Sequence, residues 1–196
     1  MEFADFTLEV AESRLGLTTR PVVLFPASAL TPVPVWLSDL LERGRHGAAL
    51  VSEKAHSAFL IAPILLAARE LNPSPLTIYS GQRLDVDAEP GLTGECDYIL
   101  GRTPPAPRLR APLVTVAAAK KGDVEAGLGQ CVAEMAAARI FNHRAGLELD
   151  ALHGCVTTGE AWQFLRLTGS DVLLDDRRRF IDDVGGILAV FRAILA

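Results

Sequence analysis

Residues 91–135 constrain this chain more than any other stretch. They read GLTGECDYIL, an arginine- and proline-rich connection, and then PLVTVAAAKKGDVEAGLGQCVAEM. An apolar segment with one acid, Asp97, is followed by a second apolar segment that ends at Lys120 and Lys121. A helical pattern then sets Gln130 and Glu134 one turn apart. The uninterrupted apolar run 113–119 reads as a strand covered on both faces. Such a strand needs a layer of structure on each side, so this stretch alone asks for an α/β or α+β domain.

The flanking sequence supplies those layers. Ser52 is a natural N-cap for a long helix that runs to about Leu71 and stops at Asn72 and Pro73. Pro63 should weaken or bend it. Strand signals follow at 76–81, 83–87 and 92–100, and Arg102, Arg108 and Arg110 fall in an exposed loop, 101–112. Asp123 can cap a helix over 124–142. Two strands, 153–159 and 162–167, turn at Gly159 and Glu160, and an amphipathic helix closes the chain over 181–195. Before Ser52 come a helical pattern at 6–15, an apolar run at 22–24, and a helix bearing Trp36, Leu37, Leu40 and Leu41 that Gly44 stops. The expected organisation is an N-terminal helical cover, 1–48, packed on a main domain, 49–196, as one compact unit. Its fold class is α/β (α+β), with a central mixed sheet flanked by helices.

Composition narrows the function classes. Apolar residues make up 49% and charged residues 22% of the 196 residues, which is ordinary for a folded domain. A formal net charge of −5 argues against a general coat of positive charge, though it leaves room for a local basic groove. The acidic opening, Met1 to Asp5, is unlike a secretory signal, and the most apolar stretch, 55–68, is too short to span a bilayer. A cytoplasmic protein with no membrane partner is expected. Cys96, Cys131 and Cys155 lack zinc-site spacing and read as buried thiols. His56, His143 and His153 are scattered. No glycine-rich phosphate loop of the P-loop or dinucleotide kind follows any strand, which disfavours an unrelated small-molecule enzyme of α/β type.

The strings SEKAHSAFLIAPIL, GLTGECDYIL, PLVTVAAAKKGDVEAGLGQCVAEMAAARIFN and GCVTTGEAWQFLRL, in that order from about Glu53 to Leu167, resemble the PD-(D/E)XK nuclease superfamily. Within that restriction-endonuclease-like fold the likeness is to a group of uncharacterised bacterial members. The resemblance implies two acids that hold Mg²⁺ or Mn²⁺, with a lysine two residues beyond the second acid to position or activate water. Asp97 takes the first place and Lys120 the last. The second acid falls at Ala118.

Alternation along a strand puts positions 118 and 120 on one face, so Lys120 should project towards Asp97 past an empty methyl. Glu134 from the next helix, or Glu53 from the first long helix, could replace the lost ligand beside Asp97. Gln130 would then orient Lys120 or touch a nucleic-acid backbone, with Lys121, Arg102, Arg108 and Arg110 as further nucleic-acid contacts. If nothing replaces the ligand, the site holds no cofactor. Asp97 and Lys120 should then pair directly, with the acid's pKa lowered unless desolvation dominates. Two functions stay open: a weakened metal-dependent nuclease acting on DNA, or an inactive relative that binds nucleic acid or protein. A homodimer is expected, through helix 187–195 or the N-terminal cover.

Overall fold

The computed structural model describes residues 1–26, 31–87, 91–120 and 122–196, so Lys121 lies outside the described residues. Helix α1 (Leu8–Leu15) begins where the Thr7 hydroxyl accepts from the Val10 amide and ends at Gly16 in a left-handed conformation, φ 63°. Strand β1 (Thr18–Val22) and helix α2 (Val35–Gly47) follow. Ser52 does cap α3 (Glu53–His56), accepting from the Ala55 amide at 3.1 Å.

The helix does not break at Pro63. It widens into one π-type turn, Ser57–Ile61, and continues as α4 (Ala62–Glu70). The Ala62 amide reaches back five residues to the Ser57 carbonyl, so the missing proline donor is absorbed into a wider turn.

The remaining elements are β2 (Thr77–Arg83), β3 (Glu95–Gly101), β4 (Leu113–Ala119), α5 (Leu128–Arg144), β5 (Leu152–Thr157), β6 (Ala161–Thr168), β7 (Asp171–Asp175), β8 (Arg179–Phe180) and α6 (Val184–Leu195). The strands form one mixed eight-stranded sheet in the order β1-β7-β6-β5-β4-β3-β2, with β8 pairing to β6. β4 runs parallel to β5 and β1 parallel to β7, while the other pairings are antiparallel. All seven residues of β4 are buried, as its unbroken apolar run required.

Helices cover both faces. On one, α1 and α5 pack with Phe3 and Phe6 over Ile99, Val116 and Ala118. On the other, α2, α4 and α6 enclose Trp162, Phe164 and Phe191. Phe191 meets the other two rings edge-on, at 5.9 and 5.4 Å between centroids.

Several sequence expectations differ from what is observed: α2 runs through Gly44 to Gly47, and α5 begins at Leu128 with no Asp123 cap. The first 48 residues are more than a helical cover, since they supply an edge strand. In place of a strand over 83–87 there is one isolated bridge, Asp87 to Leu92. The apolar face of α6, including Ile187, Phe191 and Leu195, is buried in the core and so is not a free dimer surface. Among the described residues no helix is long and apolar enough to cross a membrane.

Candidate functional site

Because β3 and β4 are antiparallel, the start of β3 and the end of β4 fall at the same end of the sheet. The last ladder pair there is Tyr98 with Ala117. Beyond it the Asp97 side chain takes over from the backbone: the Ala119 amide donates to Asp97 Oδ2 at 2.8 Å. Burial pushes the Asp97 carboxyl up from its usual range. The Ala119 bond and the Lys120 charge oppose that, while Glu53 and Glu95 push it further up.

Lys120 sits one residue past β4, its amide held by the Thr157 carbonyl at 2.8 Å. Its ammonium donates to Gln130 Oε1 at 2.6 Å, and Gln130 Nε2 donates to Glu134 Oε1 at 2.8 Å. An ammonium can only donate, so the amide oxygen must face Lys120 and the amide nitrogen must face Glu134. Gly127 makes room for this run. A Cβ there would stand 2.8 Å from Lys120 Cγ and 2.5 Å from Val156 Cγ1.

Glu134 has no exposed surface. The reason lies in α5, which is buried all around over 128–138 because the sheet covers one side and α1 the other. At Gly129 the backbone of Phe6 and Thr7 comes so close that a Cβ would not fit. Burial pushes the Glu134 carboxyl up to about 8, and the nearby Asp97 charge adds to that against the Gln130 bond and Lys120. Glu134 is therefore mostly protonated at neutral pH, and its Oε2 has no partner.

The expected residues thus separate into two groups. Lys120, Gln130 and Glu134 form one chain of hydrogen bonds. Asp97 joins Glu53 at a cleft of about 620 Å³ between the α3–α4 helix and the β2–β3 pair. Among the described residues no ion pair links Asp97 to Lys120, and the Asp97 pKa moves up instead of down. The missing pair is a correction, because Lys120 lies past the strand end and turns to α5; the raised pKa is the exception already allowed for, since desolvation dominates at Asp97. Nor is the Ala118 methyl beside an empty space, because it is fully buried in the α5-facing core. Arg102, Arg108 and Arg110 lie on the β3–β4 connection at the far end of these strands, roughly 13 Å or more from Asp97 at strand rise. Arg102 there donates to the Leu195 and Ala196 carbonyls at 3.4 and 3.2 Å.

Sequence reasoning missed several residues here. Glu95 lines the same cleft, and its signal was its position two before Asp97, which alternation puts on one face. Ser57 and Tyr98 fix the π-type turn against β3. The tyrosine hydroxyl donates to the Ser57 carbonyl at 3.1 Å and lies 2.5 Å from its hydroxyl. His56 ties the helix start to the β5–β6 turn, its ring nitrogens lying 2.6 Å from the Thr158 carbonyl and 3.0 Å from that of Leu50. Nothing in its spacing announces that role.

A hard divalent cation needs ionised oxygens that converge on one point. Asp97 uses one oxygen on the Ala119 amide, Glu134 is buried and mostly neutral, and Ala118 offers no donor. Among the described residues no three His, Cys, Asp or Glu side chains gather as a group able to hold a metal ion. Asp97, Ala118 and Glu134 as placed therefore do not supply the pair of ionised ligands that the resemblance implies, and Glu53 and Glu95, which share the Asp97 cleft, form no such group with it among the described residues. No protein-family model matches the chain, and a comparison with curated proteins gives no significant match either.

Proposed function

We propose that this chain is a restriction-endonuclease-like protein whose phosphodiesterase site has become a metal-free binding surface, a pseudo-nuclease. The observation that carries the reading is the chain Lys120–Gln130–Glu134. In a working site of the resembled kind, the lysine acts on water beside two ionised acids and a metal. Here its ammonium is held by a neutral amide, the amide is held by a buried acid that keeps its proton, and the position of the second acid is alanine. Asp97 is left to close the end of a strand and to line a cleft. Fold alone does not supply an activity, and the groups that would supply one are occupied structurally. The reading includes a cytoplasmic location and a homodimer. Light scattering at micromolar concentration checks the dimer, and a monomeric mass rejects it.

The test combines calorimetric titration of Mn²⁺ into wild type and Glu134→Gln with incubation of wild type on plasmid and single-stranded DNA. The expected result is no binding heat in either protein and no cleavage. Tight Mn²⁺ binding that disappears in Glu134→Gln, accompanied by metal-dependent cleavage, overturns the proposal and makes Glu134 a migrated ligand.

A further inference from the structure

We propose that the cleft between α3–α4 and β2 takes an extended segment of a partner protein that carries lysine or arginine. The inference rests on the metal-free reading, since a bound cation would neutralise the charge it depends on. Three features of the cleft support it.

The first is a free sheet edge. β2 ends the sheet and pairs only with β3, and among the described residues no other backbone bonds to its outer side. The opposite edge strand, β1, carries Pro21, which cannot donate to a ladder. An open edge is where an extended peptide adds as a strand, its main chain giving affinity and its alternate side chains giving specificity. Gly81, at φ 62°, interrupts the ladder and leaves Thr77 to Ser80 as the regular part of the edge.

The second is an apolar wall. Leu66 is 48% exposed and lines the cleft together with Ala58, Ala62 and Ile78. A half-exposed leucine over a sheet edge is surface that an apolar side chain of an added strand would cover.

The third is charge. Glu53, Glu95 and Asp97 line the cleft, with Lys54 as the one basic residue among the lining groups. Burial is the main reason the Asp97 carboxyl is raised, and the charges of Glu53 and Glu95 add to it in the same direction. A phosphate backbone would be repelled by this lining, whereas an ammonium or guanidinium would be drawn in. Reach agrees with this. A side chain on an added strand lies two strand spacings from β3, about 10 Å, which a lysine or arginine and a facing carboxylate span together.

The experiment is fluorescence anisotropy in EDTA, with a short fluorescein-labelled peptide that alternates valine and lysine. The same peptide with glutamate in place of lysine and a labelled single-stranded DNA serve as comparison probes. The proteins are wild type, Glu53→Gln/Glu95→Gln and Leu66→Ser, all changed at exposed or half-buried positions. The lysine peptide should bind wild type saturably and the double variant at least about tenfold more weakly, with Leu66→Ser weakened too. The glutamate peptide and the DNA should not bind. Absent binding of the lysine peptide, equal affinity in the double variant, or binding of DNA in its place overturns the inference. EDTA keeps metal out of this assay, so a null here leaves the metal-free reading standing. Mn²⁺-dependent cleavage in the earlier assay removes that reading whatever the peptide does.

Discussion

Replacing Glu134 with glutamine isolates the energetic role of the buried acid. The amide oxygen of the new side chain can accept the Gln130 bond as Glu134 Oε1 does, and no charge has to be buried. In the native protein the carboxyl is pushed from its ordinary value of 4.5 up to about 8. Between those values the folded chain holds one proton more than the unfolded chain. Stability is therefore greatest below 4.5 and is lost as pH rises through 8. The slope is about 1.4 kcal/mol per pH unit, and the whole loss reaches about 5 kcal/mol, similar to the total stability of a marginal domain.

Urea denaturation of both proteins at closely spaced values between pH 5 and pH 8.5 reads the effect. Wild type should lose stability steadily over that range. Glu134→Gln should follow a flatter curve, nearly level with wild type near pH 5 and several kcal/mol above it at pH 8.5. A variant less stable than wild type at pH 8 refutes the reasoning. It would mean that Glu134 is ionised in the fold and works as a charged partner of Lys120.

Two further predictions concern the two ends of β4, the start held by Asn142 and the end from which Lys120 projects. Asn142 accepts from the Leu113 amide at 2.8 Å and donates to the Leu113 carbonyl at 2.7 Å, both bonds buried. Asn142→Ala strands both groups at the start of β4 and should cost about 3 kcal/mol, seen as a lower urea midpoint with an unchanged slope. Gly127→Ala puts a methyl against Lys120 Cγ and Val156 Cγ1 and should cost about 2 kcal/mol, seen as a lower calorimetric melting temperature. An unchanged midpoint would show that Lys120 leaves Gln130 without penalty.

Much of the fold could be read from local chemistry. The apolar run of β4, the Ser52 cap and the turn at Gly159 and Glu160 each need only their own residues to make their case. What escaped the sequence depends on distant partners. β1 contains a proline and two threonines and becomes a strand only because β7, itself five residues long, lies beside it. The site shows the same division. Asp97, Lys120, Gln130 and Glu134 stand out in the sequence as polar groups in apolar surroundings. Lys120 with Gln130 was among the pairings expected, but the turn of Lys120 away from Asp97 was not, because strand alternation stops where β4 stops, at Ala119, and the direction of Lys120 is set by Gly127 and α5. The burial of Glu134 was equally hidden, since α5 is enclosed by α1 on the side that a one-sided helix would give to water.

The pairing of β1 with β7 bears on the order in which the molecule can be completed. Among the described residues β1 pairs only with β7, beyond Thr168, and the amide of Phe3 bonds to the Thr93 carbonyl at 3.0 Å. During synthesis the early segment emerges long before either partner exists. α1 must wait for α5, on which it packs, and β1 must wait until Asp175 has left the ribosome. Closure of so long a loop is slow, and the waiting segment is open to wrong partners in the meantime. The β1–β7 pairing thus joins segments 151 residues apart, as at Arg20 and Asp171, and the cost of closing so long a loop makes this edge of the sheet a late one to form.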